Sequence, residues 1–255
     1  MPVLPGAEPF VHEGSDDVGV LLCHGFTSTP QSMRDWGEHL AAEGISVRCP
    51  RLPGHGTAWR ELNRTRWTDW YATVEREFGL LRSTCRSVFV FGQSMGGALA
   101  LRLAQEHPEV TGLVLVNPSV LTLRREAALL PLLSRVLPAG RGVAGDIAKA
   151  GASELAYDRM PLKAAASMRQ LWRIVRRDLG KVRAPLLLAR SAADHVVEPL
   201  NAQVVLDGVR SADVAEIVLR DSFHVATLDH DAPALFAGSV EFTSRIHRER
   251  VEEPA

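Results

Sequence analysis

The sequence predicts an α/β chain whose mostly parallel central sheet is covered by helices on both faces. Short β-branched runs alternate along the chain with longer segments of helical period. The runs are continuously apolar, as expected of strands buried on both sides, where neither face meets water. A serine flanked by glycines stands where one of these runs gives way to a helix-like segment.

The elements follow in order. VGVLLCHGF reads as a strand, QSMRDWGEHLAAEG as a helix, ISVRCP as a strand and WTDWYATVEREFGLLRST as a helix. SVFVFG, SMGGALALRLAQEHP and TGLVLVN then repeat the strand, helix, strand order. The rhythm breaks between Asn117 and Lys181, where LTLRREAALLPLLSRVLP, RGVAGD, SELAYDRMP and KAAASMRQLWRIVRRDLG look helical or loop-like and enclose no clear strand. It resumes with APLLLAR, PLNAQVVLDGV, DVAEIVLRD and a last helix ending near Arg250. Residues 1–116 and 182–255 are therefore expected to form the core, and residues 117–181 a helical cap inserted over the C-terminal ends of the strands, where ligands bind in open α/β sheets.

Composition narrows the function classes. With 46% hydrophobic and 23% charged residues in 255, the chain is of ordinary globular character. Lys and Arg total 29 against 30 Asp and Glu, so no overall field draws it to nucleic acid, and a small-molecule partner is expected. The longest apolar stretches fall short of the ~20 residues that span a bilayer, so at most transient contact with a lipid interface is expected. MPVLPGAEPF has neither a basic leader nor a long apolar core, which makes a cytoplasmic location the default expectation. Cys23, Cys49 and Cys85 form no C-x-x-C pair, and no His, Cys and Asp cluster has metal-ligand spacing, so neither a disulfide framework, a metal nor a cofactor is expected. Asn63-Arg64-Thr65 fits a glycosylation sequon and is taken as a chance match. The sequence does not fix an oligomeric state.

The glycine-flanked serine is Gly92-Gln93-Ser94-Met95-Gly96. A nucleophile elbow needs a strand before it, a helix after it and small flanking residues that permit a strained turn, and this stretch has all three. A serine hydroxyl attacks only when a base takes its proton, and on this fold the order is serine, acid, histidine. His24 and His55 precede Ser94, whereas His195, His224 and His230 follow it. His224, in DSFHVATLD just past the strand-like AEIVLR, is the best candidate base. Asp194, after the strand-like PLLLAR, is preferred as the orienting acid. Asp221, Asp229 and Asp231 are nearer in sequence, but Asp229 and Asp231 suit the opening of the last helix, where acids favour the positive end of the dipole. Backbone amides of Met95 and of Phe26 in HGFTSTP are expected to form the oxyanion hole.

These motifs, together with CPRLPGHGT, SELAYDRMP, ADHVVEP and SFHVATLDHDAP, resemble the α/β-hydrolases over nearly the whole chain, and within them the small bacterial monoacylglycerol lipases and their carboxylesterase relatives. The resemblance implies an ester hydrolase acting on a small lipid ester through an acyl-enzyme, with Ser94, Asp194 and His224 as the triad and Phe26 and Met95 as the oxyanion amides. It also implies that a cap glutamate, here Glu154, meets the glycerol hydroxyls. Gln93 departs from the leucine common in such relatives. Leu129, Leu130, Leu132, Leu133 and Val143 are expected acyl-tunnel walls. A general short- to medium-chain carboxylesterase shares every catalytic residue, and a non-catalytic binding module of the same fold is the alternative outside enzymes. Epoxide hydrolases and haloalkane dehalogenases are disfavoured because position 94 is Ser where their nucleophile is Asp.

Overall fold

The computed structural model describes residues 1–142 and 144–252. Val143, one of the expected acyl-contact residues, lies outside the described residues. Strands β1 (Phe10–His12), β2 (Val18–Cys23) and β3 (Ser46–Cys49) are joined by helix α1 (Arg34–Ala42) between β2 and β3. Helices α2 (Trp59–Leu62) and α3 (Trp67–Thr84) lead into β4 (Ser87–Gln93), α4 (Met95–Glu106) and β5 (Gly112–Val116). An insertion follows with α5 (Leu130–Val136), β6 (Ala139–Arg141), β7 (Arg159–Pro161) and α6 (Leu162–Asp178). The chain ends with β8 (Leu186–Ser191), α7 (Leu200–Gly208), β9 (Val214–Leu219) and α8 (Ala232–Glu252).

Seven strands form one sheet in the order β1-β3-β2-β4-β5-β8-β9, parallel throughout except for β1, which pairs antiparallel with β3 at the edge. The period-2 alternation of a strand divides its side chains between two cores. Leu21, Val90, Leu113, Leu115 and Leu188 pack with α3, α4, α6 and α7 on one face. Val20, Leu22, Phe89, Phe91, Val114 and Leu187 pack with α1 and α8 on the other. On that second face Trp36 stacks on Phe236 with ring centroids 5.8 Å apart, and its indole N–H donates to Ser239 at 2.9 Å. Continuous apolar runs were expected for just this arrangement, with every residue of β4 and β5 buried. All three cysteines are buried and unpaired, and burial pushes the Cys23 thiol up to about 12.

The insertion differs from expectation in one respect. It encloses a two-stranded antiparallel sheet, Ala139↔Pro161 to Arg141↔Arg159, where no strand was expected. Each strand has three residues and no β-branched run, so pairing across the chain, and not local propensity, makes it. Helix α6 starts over the sheet's C-terminal edge and ends in the main core. Leu171 and Val175 are buried beside α4, where the Gln105 amide donates to the Val175 carbonyl at 2.9 Å. Among the described residues no helix is long and apolar enough to cross a membrane.

Candidate active site

Because β2, β4, β5, β8 and β9 run parallel, the loops after them meet along one edge of the sheet. Those loops carry Phe26, Ser94, Asn117, Asp194 and His224 respectively. Three non-glycine residues among those described have left-handed backbones, Thr27 (φ 64°), Ser94 (φ 56°) and Asn117 (φ 44°), and all three lie at these strand ends. Strain of this kind clusters where a scaffold over-determines a functional geometry.

The elbow is enforced by missing side chains. A methyl group at Gly96 would sit 1.9 Å from the Cys23 carbonyl oxygen, and one at Gly92 would sit 2.3 Å from that of Gly96. The strand, turn and helix can approach this closely only without Cβ atoms at both positions. The Ser94 N–H donates to Val116 at 2.9 Å, and the Ser94 carbonyl accepts from Gly97 and Ser119, each at 3.0 Å. Ser94 is thereby held at the N-terminus of α4 with its side chain on the cavity wall. Among the described residues, the main-chain N–H groups of Phe26 and Met95 have no partner within the chain. Phe26 lines the cavity, while the Met95 side chain is fully buried in the core.

His224 and Asp194 are brought together, Nδ1 to Oδ2 at 2.7 Å, both side chains nearly buried. An ionised carboxylate only accepts, so Nδ1 carries the proton and Nε2 of the neutral ring is left as the basic nitrogen. The other Asp194 oxygen accepts from the N–H groups of Val196 and Val197, each at 2.8 Å. Burial works to raise this carboxyl, but the hydrogen bond and charge of His224 with the two N–H groups outweigh it and hold Asp194 below the usual range. Asn117 braces the pair from the core, its amide donating to the His224 carbonyl and to Ser191, each at 2.9 Å. Asn tolerates the left-handed backbone this position requires.

Ser94 and His224 open into one cavity of about 470 Å³. Helix α6 contributes Ala165, Met168, Arg169 and Trp172, an i, i+3, i+4, i+7 stripe. Of the expected acyl contacts, Leu130 and Leu133 line the cavity, joined by Leu137. Leu129 and Leu132 do not. They are 55% and 62% exposed, because the turn preceding α5 and the helix itself aim positions 129, 132 and 136 outward while 130, 133 and 137 face in. Glu154 also lines the cavity, with one carboxylate oxygen accepting the Gly145 N–H at 3.0 Å.

Several residues of the site were not foreseen. The Gln93 side-chain amide oxygen Oε1 accepts from the Thr227 hydroxyl at 2.8 Å, tying the elbow to the loop after His224. The Tyr157 hydroxyl accepts the Thr57 N–H and donates to Gly54, each at 2.8 Å, and its own N–H donates to Thr27 at 3.1 Å. Asp229, expected as a helix-opening acid, instead receives the N–H groups of Ala148, Lys149, Phe223 and His230. Its carboxyl, which burial works to raise, is held below the ordinary range by those donors. Asp146 receives the N–H groups of His195 and His224. In the sequence these are lone polar residues within loops, and only the Gly-rich setting of Asp146 marks it at all.

Two buried histidines lie under the loop that carries Phe26. The His24 Nε2 accepts the Leu52 N–H at 3.2 Å, so its proton sits on Nδ1, which faces the Gly25 carbonyl at 3.0 Å. Burial lowers the His24 ring to about 4, with only a partial offset from the Gly25 bond. Burial also holds His55, whose ring lies 5.0 Å from that of His24, well below the usual histidine range, and the His24 charge acts in the same direction. Neither ring belongs to the His224 pair.

Comparison with known proteins is consistent in kind. Residues 15–231 match the family described as serine aminopeptidase, S33. The thermostable monoacylglycerol lipase of Bacillus sp. (strain H-257) is 40% identical over 251 residues, covering 96% of this chain and 97% of that one. A carboxylesterase of Bacillus subtilis (strain 168) is 25% identical over 242 residues, covering 94% and 97%. A solved structure from work on LipS and LipT, two metagenome-derived lipolytic enzymes, superposes with a TM-score of 0.93 at 36% identity, covering 96% of this chain and all (100%) of that one.

Proposed function

The chain belongs to the serine aminopeptidase S33 family and is an α/β-hydrolase, and from that premise we propose that it cleaves monoacylglycerols to fatty acid and glycerol through an acyl-enzyme on Ser94. The observation that carries this reading is the single cavity into which the strained Ser94, the Asp194-bound His224 and the half-buried Glu154 all open. The 40% identity to a monoacylglycerol lipase over nearly the full length supports the choice of substrate.

In this mechanism Ser94 Oγ attacks the ester carbonyl while His224 Nε2 takes its proton. Asp194 orients the ring and stabilises the imidazolium. The N–H groups of Phe26 and Met95 receive the oxyanion, a contribution of about 3 kcal/mol for each such donor. The imidazolium then protonates the departing glycerol oxygen, and water, activated by the same base, releases the fatty acid and restores the serine. Residues 117–181 serve as the cap, with Leu130 and Leu133 against the acyl chain and Glu154, through its free oxygen, accepting from the glycerol hydroxyls. On the outside of this cap Leu123, Leu129, Leu132 and Val136 are 60%, 55%, 62% and 75% exposed, a surface suited to transient contact with a lipid interface.

The test is a comparison of initial rates on monoacylglycerols of graded chain length, a triacylglycerol and simple short-chain esters. Monoacylglycerols are expected to lead in kcat/KM by about tenfold or more, roughly 1.4 kcal/mol of differential transition-state binding. Ser94→Ala is expected to lose activity on all of them. Preference for short simple esters would overturn the glycerol claim in favour of a general carboxylesterase. Full activity in Ser94→Ala would overturn the mechanism.

A further inference from the structure

The loop that carries His224 is gripped from two sides. Asn117, at the end of β5, holds its carbonyl from the core. Its N–H is held by the insertion: Asp146 Oδ2 accepts from His224 N at 3.1 Å and from His195 N at 3.2 Å. Asp146 Oδ1 pairs with His195 Nδ1 at 2.8 Å, and the Asp146 carbonyl accepts the Val225 N–H at 3.0 Å. His195 directly follows Asp194, so one carboxylate of the insertion grips the peptide of one partner and the neighbour of the other. The grip is reciprocal, because Asp229 in the His224 loop accepts the N–H groups of Ala148 at 2.7 Å and Lys149 at 2.9 Å.

We propose that Asp146 is a positioning residue through which the insertion sets the register of His224 on Asp194, so that cap placement and base placement are one event. The inference rests on the triad reading above. Asp146 is bonded to the main chain of His224 and not to its ring, so it acts on where the base stands. Only a carboxylate suits the place. Asp146 accepts three hydrogens on two oxygens, whereas an amide offers one oxygen and alanine none. A histidine displaced by a fraction of an ångström loses alignment with both the serine and the departing oxygen, and misplacement of about 1 Å costs on the order of 100-fold in rate.

The experiment compares Asp146→Ala and Asp146→Asn with wild type in three readouts. These are kcat and KM on a monoacylglycerol and on a short ester lacking glycerol, the rate at which a fluorophosphonate labels Ser94, and the NMR resonance of the proton between His224 and Asp194. Asp146→Ala is expected to lower kcat about 10- to 100-fold on both substrates with KM nearly unchanged, to slow labelling in parallel and to shift or broaden the proton resonance. Asp146→Asn, keeping one acceptor for the His224 N–H but losing the rest of the grip, is expected to fall between the two, still several-fold below wild type in kcat with a shifted resonance. A folded Asp146→Ala with wild-type kcat and resonance overturns the proposal. So does a change confined to KM, or to the glycerol ester alone, which would make Asp146 a substrate contact. If Asp146→Ala does not fold, Asp146→Asn decides, with an intact kcat and resonance overturning the proposal and a loss of both supporting it. Failure of both to fold assigns Asp146 to stability and overturns it as well. Failure of wild-type Ser94 to be labelled, or an active Ser94→Ala, would instead sink the triad reading, so the two failures are distinguishable.

Discussion

The elbow at Ser94 and the insertion above it are built by different means. The elbow is held by main chain against main chain, with strands on both sides of β4 and Gly92 and Gly96 removing every atom that would keep strand and helix apart. The stretch from 144 to 157 in the insertion is held largely by single side chains reaching main chain. Gln31 clips Ser153 and Leu155, Tyr157 clips Gly54 and Thr57, and Asp229 clips Ala148 and Lys149. The first kind of joint has no partial failure, because a backbone collision cannot be relieved by a rotamer. The second can be loosened one hydrogen bond at a time.

That contrast can be broken most severely with one methyl group. Gly96→Ala is expected to abolish folding or cost more than ~4 kcal/mol in urea unfolding, the range of severe core lesions. Gly145→Ala in the insertion, where the backbone is left-handed (φ 70°) but nothing lies within 4 Å of the added atom, is expected to cost about 1–2 kcal/mol. Equal losses would mean that the collision with the Cys23 carbonyl is not what makes glycine necessary at 96.

Next in size is an acid limb under the core loops. His24 is neutral in the folded chain down to about 4, whereas in the unfolded chain it protonates near the ordinary histidine value of about 6.5. The unfolded state therefore binds more protons between those values. Stability is fully present above pH ~6.5, falls as the pH drops toward ~4, and loses on the order of 3 kcal/mol from this group, with His55 acting in the same direction. Unfolding free energies measured across that window should show the slope, and His24→Gln should flatten it. An unchanged slope in the variant would remove His24 as its source.

A smaller effect is expected where the insertion is clipped. Tyr157→Phe leaves the Thr57 N–H and the Gly54 carbonyl without their partner and should cost about 1–3 kcal/mol, read as a lowered melting temperature. The smallest effect sharpens the comparison within the insertion itself. Leu133→Ala should lower kcat/KM about tenfold or less, more on long acyl chains than on short ones, while Leu129→Ala should leave soluble substrates within about twofold. Equal effects would show that the inward and outward sides of α5 and the turn before it are not functionally distinct.

How much of this was legible follows from the same division. Parallel strands announce themselves as apolar runs, which is why the core elements, including α3 at residues 67–84, were readable directly. Chain order and strand ends sufficed to bring Ser94, Asp194 and His224 to one edge of the sheet, since a parallel sheet leaves little freedom in where its loops emerge. The insertion carries no comparable periodicity. β6 and β7 exist only because Gly140 and Met160 meet, the inward or outward facing of Leu130 and Leu129 depends on where α5 starts, and Asp146 and Asp229 look like any solvated acids until their N–H donors are seen.

The left-handed backbones of Thr27, Ser94 and Asn117 also bear on how this protein would respond to selection. At each of these positions the fold forces a side-chain-bearing residue into a conformation that glycine adopts freely. A population selected for heat resistance alone would therefore gain by drifting to glycine at 27 and 94, whereas Asn117 offsets its strain through its buried bonds to Ser191 and His224. On the mechanism proposed above, serine at 94 is thus a local concession of stability to chemistry.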